Sequence, residues 1–131
     1  MKQEWSNKWN SSVQPRKQRK FRHNAPMHVK QKFVSAHLSE ALRNRFEKRS
    51  LPLRKGDEVK VMRGTSKGFK GKIDRIDLKT SKVYIEGLNV KKVDGSEVLR
   101  PINPSNLLIV EPKMDDKKRQ MIVERARKRR E

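Results

Sequence analysis

Apolar and polar residues alternate most clearly in the middle of the chain. Val59 and Val61 flank Lys60; Gly64, Gly68 and Gly71 then stand among lysines, and alternation resumes at Ile73. This spacing predicts a strand, a basic glycine-punctuated loop and a second strand, with Val59 and Val61 on one face and Lys60 and Met62 on the other. Across the whole region, strands are expected at about 57–62, 71–77, 81–86, 89–93, 97–102 and 106–111, punctuated by Ser81, Gly87 and Asp94-Gly95. Pro101 and Pro104 confine their surroundings to an edge or a short loop. Short strands at this density, with a small apolar set, fit a small closed or nearly closed barrel better than a sandwich.

Outside that region the pattern changes. Val34, Leu38, Leu42 and Phe46 recur at every fourth position, which predicts a helix over 35–48 whose stripe packs on the core. Ser35 and Ser39 are both candidate caps, and Leu51-Pro52-Leu53 leaves the helix in extended form. Residues 1–33 carry no sustained periodicity and are expected to be disordered when free, because they bury too little to offset their ordering entropy. After Pro112, Asp115 and Asp116 suit a helix N-terminus and Arg125, Arg127, Lys128, Arg129 and Arg130 suit its C-terminus. The stripe of Met114, Ile122 and Ala126 is thin, so this helix is expected to form against a supporting surface.

Charge turns this outline towards function. The 131 residues carry a net charge of +20 and are only 32% apolar, a balance that suits one domain with extensions and a polyanionic partner, nucleic acid first. The charge is +8 over residues 1–34, +2 over 35–50, +5 over 51–112 and +5 over 113–131. These spans are taken as a basic N-terminal arm, a short helix, the barrel and a basic C-terminal helix or tail. The fold class is thus mainly β with charged arms. No cysteine is present, so disulfide and thiolate chemistry is excluded and a reducing, intracellular location is compatible. No run approaches the ~20 apolar residues of a membrane span, and no secretory leader is evident, so a soluble protein without a membrane partner is expected.

The candidate RNA-binding residues fall in three groups. Arg16, Lys17, Arg19, Lys20 and Arg22 of the arm lie beside Phe21 and His23, rings able to stack on bases. Arg43, Arg49, Arg54 and Lys55 lie off the apolar stripe or beside it. In the central loop, Arg63, Lys67, Lys70 and Lys72 are set to neutralise phosphates, while Gly64, Gly68 and Gly71 let backbone amides approach them. A tight hairpin would need the same glycines, and the two roles are compatible. Nothing points to an enzyme or a cofactor. The glycines match neither the Walker nor the dinucleotide pattern, and His23, His28 and His37 lack cysteine or spaced acidic partners for a metal. Asp57 and Glu58 point to opposite faces of a regular strand, so they are not a facing carboxylate pair. No small-molecule substrate is expected.

Lys55 to Asp77, through Gly56, Asp57, Val59, Val61, Gly64, Lys67, Gly68, Gly71 and Lys72, resembles a KOW motif, shared by several ribosomal proteins and by KOW-type transcription elongation factors. The flanks separate these. Arg22 to Phe33 with Asn24-Ala25-Pro26, Leu38-Ser39 to Arg43, and Arg49 to Lys55 resemble the leading segment of the archaeal and eukaryotic family of ribosomal large-subunit protein twenty-four, called protein twenty-six in eukaryotes. Ile102, Pro104-Ser105-Asn106 and Asp116 to Arg119 also fit, so the resemblance covers about 16–127. It implies an SH3-like barrel and a cytoplasmic ribonucleoprotein role in translation. The protein would bind large-subunit rRNA in the 5′ domain, act early in subunit assembly and lie near the exit of the peptide tunnel. Neighbouring ribosomal proteins and factors docking at the tunnel exit are the further partners implied, and the loop Arg63 to Lys72 is implied as the barrel's main rRNA contact. The short C-terminal tail resembles the archaeal type. Two other classes compete. A KOW transcription factor places a separate domain before the motif, which residues 1–50 are too basic and too poor in apolar residues to form. A sequence-neutral nucleoid protein predicts binding to duplex DNA without preference for folded rRNA.

Overall fold

The expected alternation is realised in a computed structural model, which describes residues 3–130. Met1 and Lys2 of the expected arm and Glu131 of the tail lie outside the described residues. The elements run α1 (Pro15–Asn24), α2 (Met27–Phe33), β1 (Ser35–Leu38), α3 (Glu40–Phe46), β2 (Ser50–Pro52), β3 (Glu58–Val61), β4 (Lys70–Asp77), β5 (Lys82–Lys91), β6 (Glu97–Ile102), β7 (Leu107–Glu111) and α4 (Lys117–Lys128). The strands form one sheet in the order β2-β1-β7-β3-β4-β5-β6, antiparallel throughout except for the parallel pair β1 and β7. The protein is mainly β, a barrel-like sheet with short helices and a C-terminal helix. Val59, Val61, Ile73, Val83, Ile85, Ile102, Leu107 and Ile109 are buried from the strands, as their period of two requires.

The segment 35–48 is not one helix. Residues 35–38 are β1, with Ala36 and Leu38 buried and His37 exposed, and the chain turns into α3 only at Ser39. The reason is arithmetic: a spacing of four is even, so it puts residues on one face of a strand as well as on one face of a helix. Leu42 and Phe46 keep the helical phase, and Glu47 ends α3 in left-handed geometry at φ 54°. The residues Leu51-Pro52 do not merely lead out of the helix, because β2 pairs antiparallel with β1 in the register Ala36 to Leu51.

The strands expected at 81–86 and 89–93 are likewise one strand, β5. Gly87, at φ 82°, is a kink within it rather than a break, and the pairing with β6 slips between Tyr84 and Asn89. This bulge resets the alternation, so Ile85 and Leu88, an odd number of residues apart, both face the core.

The arm also departs from expectation, since its described residues contain α1 and α2. Pro15 opens α1 where a missing N–H costs nothing, and Asn24-Ala25-Pro26 separates the two helices. A small aromatic cluster holds them. Phe21 stacks on Trp5 at 5.4 Å between ring centroids and meets Phe33 at 5.9 Å, while the Trp5 indole N–H donates to the Phe21 carbonyl at 3.1 Å. These aromatics are too far apart in sequence to form a stripe, which is why periodicity does not reveal them. Among the described residues no helix is long and apolar enough to cross a membrane.

Candidate nucleic-acid interface

The loop between β3 and β4 is built on a short hairpin closure. The Val61 N–H donates to the Phe69 carbonyl and the Gly68 N–H to the Val61 carbonyl, each at 2.8 Å. Gly64 (φ 93°) and Gly68 (φ 92°) both occupy the left-handed region, and a Cβ at either would meet nothing within 4 Å. Their need for glycine is therefore conformational, and the space above them is open to a partner. Because the Gly68 N–H is used inside the hairpin, it is not the phosphate-facing amide the sequence suggested.

Gly71 is a clearer correction. It is a β4 residue in register with Val59, and a Cβ there would lie 2.8 Å from Ile85 Cγ2 and 3.1 Å from the Glu86 carbonyl oxygen. Packing of β4 onto β5 demands this glycine, and no ligand approach is needed to explain it.

Two side chains fasten the loop to the barrel. Phe69 tucks beside Gly71 and packs against the core. From β6, Arg100 Nη1 donates to Thr65 Oγ1 at 2.6 Å and to Ser66 Oγ at 3.5 Å. Arg100 is not among the sequence candidates, since its partners lie 35 and 34 residues away and no local signal reports such a tie. The cations themselves are free: Arg63, Lys67, Lys70 and Lys72 are exposed. The ion pairs found among the described residues, Arg54–Asp116, Lys113–Asp115 and Arg119–Asp57, involve none of them. Lys60 belongs with this group too, because register sets it directly opposite Lys70. Like charges facing across a strand pair are destabilising, and a bound polyanion relieves that cost.

The other candidates have mixed duties. On α1, Arg16, Lys17, Arg19, Lys20, Arg22 and His23 are exposed, with the Lys20 ammonium 5.2 Å above the Trp9 ring. Phe21 is buried in the aromatic cluster, so it is not an exposed stacking ring. Arg22 lines a cavity of about 590 Å³ with Lys82, Ser81 and Ser105, none of them in the loop between β3 and β4. Arg43 Nε donates to the Leu38 carbonyl at 2.9 Å, Arg54 is paired with Asp116, and Arg49 and Lys55 are exposed.

Asp57 has a role that adjacent-residue reasoning hid. Its carboxylate is wholly buried and accepts from the N–H groups of Arg54 (3.0 Å) and Lys113 (2.9 Å) and from Arg119 Nη1 and Nη2, both at 2.6 Å. Arg119, 3% exposed, also donates to the carbonyls of Lys113 at 2.9 Å and Pro52 at 3.0 Å. This clamp fixes α4 to the barrel. At the start of α4, Asp116 accepts from the Lys118 N–H at 3.0 Å. That bond, helped by Arg54, holds its carboxyl below the ordinary range. No group of three or more metal-ligating side chains occurs among the described residues.

A barrel-like sheet carrying a fastened cationic loop, with basic helices before and after it, defines a protein built to meet a polyanion. The model of the family of ribosomal proteins called L26 in eukaryotes and L24 in archaea matches residues 12–126, and the chain belongs to this family. Among its curated relatives are three archaeal proteins, each named large ribosomal subunit protein uL24. That of Methanocella arvoryzae is 50% identical over 115 residues, covering 88% of this chain and 93% of the relative. That of Methanothrix thermoacetophila is 47% identical over 114 residues, covering 87% and 98%. That of Methanosphaera stadtmanae is 44% identical over 114 residues, covering 87% and 97%.

Proposed function

We propose that this chain is a structural constituent of the large ribosomal subunit in the cytoplasm, where it binds the 5′ domain of large-subunit rRNA. The observation that carries this reading is the family match over residues 12–126 on a chain whose exposed loop presents unpaired cations. In this reading Arg63, Lys67, Lys70 and Lys72, with Lys60, neutralise phosphates, and the open surfaces over Gly64 and Gly68 let the RNA backbone come close. Such contacts fix position and orientation and carry little sequence information. Arg100 and Phe69 hold the loop in place before binding, which lowers the ordering cost of association. The exposed cations of α1 and α4 extend the contact beyond the loop. A role early in subunit assembly and a position near the exit of the peptide tunnel accompany this reading through the family resemblance.

Gradient sedimentation of tagged protein from a lysate tests it. Cofractionation with free large subunits and whole ribosomes that survives high salt is expected; migration with polymerase or chromatin would overturn the assignment. For the isolated protein on 5′-domain rRNA, log affinity should fall against log salt with a slope of about 0.7–0.9 per phosphate neutralised, and a flat response would contradict phosphate contact.

A further inference from the structure

Away from the loop, α2, the β2 exit, the end of β4 and α4 enclose a pocket of about 640 Å³, within the ~300–1,000 Å³ range of sites that take small molecules. Its floor is aliphatic, formed by Leu53, Ile76, Leu78 and Ile122, and its mouth carries Met121 with Lys32, Arg54, Lys118 and Arg125. Asp116, the acidic residue in the lining, is already committed to Arg54 and to the Lys118 N–H. The mouth is therefore net cationic around an apolar floor, on a chain with few exposed apolar side chains to spare.

We propose that this pocket receives an unpaired nucleotide of the bound RNA, its base against the aliphatic floor and its flanking phosphates on Lys32, Lys118 and Arg125. The inference rests on the ribosomal reading above and names a second contact site within it. The chemistry selects this occupant. A phosphate alone leaves the floor wet, and a duplex keeps the apolar faces of its bases stacked on one another and out of reach of a concave site. A nucleotide outside a helix joins a flat ring with apolar faces to an anion on each side, in one repeat of the chain. A peptide would have to bring acidic residues on both sides of an apolar one to match the same mouth.

Ultraviolet crosslinking of the full-length protein on large-subunit rRNA, with mass-spectrometric mapping, tests the proposal. The expected result is a crosslink from the 121–125 peptide to a nucleotide unpaired in the rRNA, alongside crosslinks from the Arg63–Lys72 loop. Met121 is 54% exposed, so Met121→Glu puts a carboxylate at the pocket without disturbing the core. This change should abolish the pocket crosslink and weaken binding roughly tenfold, because it sets a carboxylate against the flanking phosphates, while Met121→Leu retains both. Loop crosslinks with no pocket crosslink, or a pocket crosslinked only to paired nucleotides, would overturn the pocket assignment and leave the ribosomal reading standing. A neighbouring protein crosslinked in the pocket would overturn it in favour of a peptide. Absence of crosslinks anywhere on the protein would overturn both readings.

Discussion

Replacing Asp57 with Asn tests whether the clamp holds α4 to the barrel. The native carboxylate accepts four hydrogen bonds, two of them from a guanidinium that is 3% exposed. Asparagine offers one acceptor oxygen and turns an NH₂ group towards donors, leaving the Arg119 charge buried and uncompensated. Removing one partner of such a pair costs about 3–5 kcal/mol, a large part of the ~5–15 kcal/mol that holds a domain folded. With a urea dependence of ~1–3 kcal/mol per molar for small proteins, the unfolding midpoint should fall by roughly 2 M. Far-ultraviolet circular dichroism in urea measures this. Asp57→Asn combined with Arg119→Met should be more stable than Asp57→Asn alone, because the orphaned charge is gone. A loss under about 1 kcal/mol for Asp57→Asn, or simple additivity in the double variant, would refute the clamp.

Gly71→Ala should destabilise the fold by ~1–3 kcal/mol, because its Cβ meets Ile85 and a backbone oxygen; thermal melting of the variant checks this. Gly68→Val should leave the core intact and distort the loop at its positive φ, lowering rRNA affinity; unchanged binding would show that loop geometry is unimportant. Lys67, Lys70 and Lys72 changed together to Ala should weaken rRNA binding and reduce the salt slope while urea unfolding stays near native; native affinity would transfer the main contact to the helices. The Asp116 carboxyl lies below its ordinary value of 3.8. Its contribution to stability is thus complete above that value and is lost as pH falls through the folded-state pKa; carbon-detected titration by nuclear magnetic resonance should place its midpoint below 3.8.

What the sequence revealed and what it hid divide along physical lines. Val59, Val61 and Ile73 announced their strands because a period of two with one wet face suits a pleated strand and no helix, and the cationic loop between them was legible for the same reason. The β1 strand was hidden because Val34 and Leu38 fit either period. In β5, Gly87 read as a terminus because a glycine signals a bulge and a turn equally well. The α1 and α2 helices depend on Trp5, Phe21 and Phe33, a cluster without periodicity, and the same burial withdraws Phe21 from base stacking. Arg100 and Arg119 act through partners 35 and 62 residues away, a distance at which local pattern carries no information.

The order of strands has a bearing on how a finished molecule is distinguished from a partial one. β7, the last strand in the chain, lies in the interior of the sheet between β1 and β3, and Arg119, later still, completes the shell around Asp57. A chain halted before Leu107 leaves β1 without its parallel neighbour and β3 with a bare edge, and one halted before Arg119 strands a buried carboxylate without its countercharge. Because these distant pairings close only at the end, completeness of synthesis is coupled to foldedness. Fragments that stop short of β7 carry the cationic loop in their sequence but present it on a sheet that lacks an interior strand.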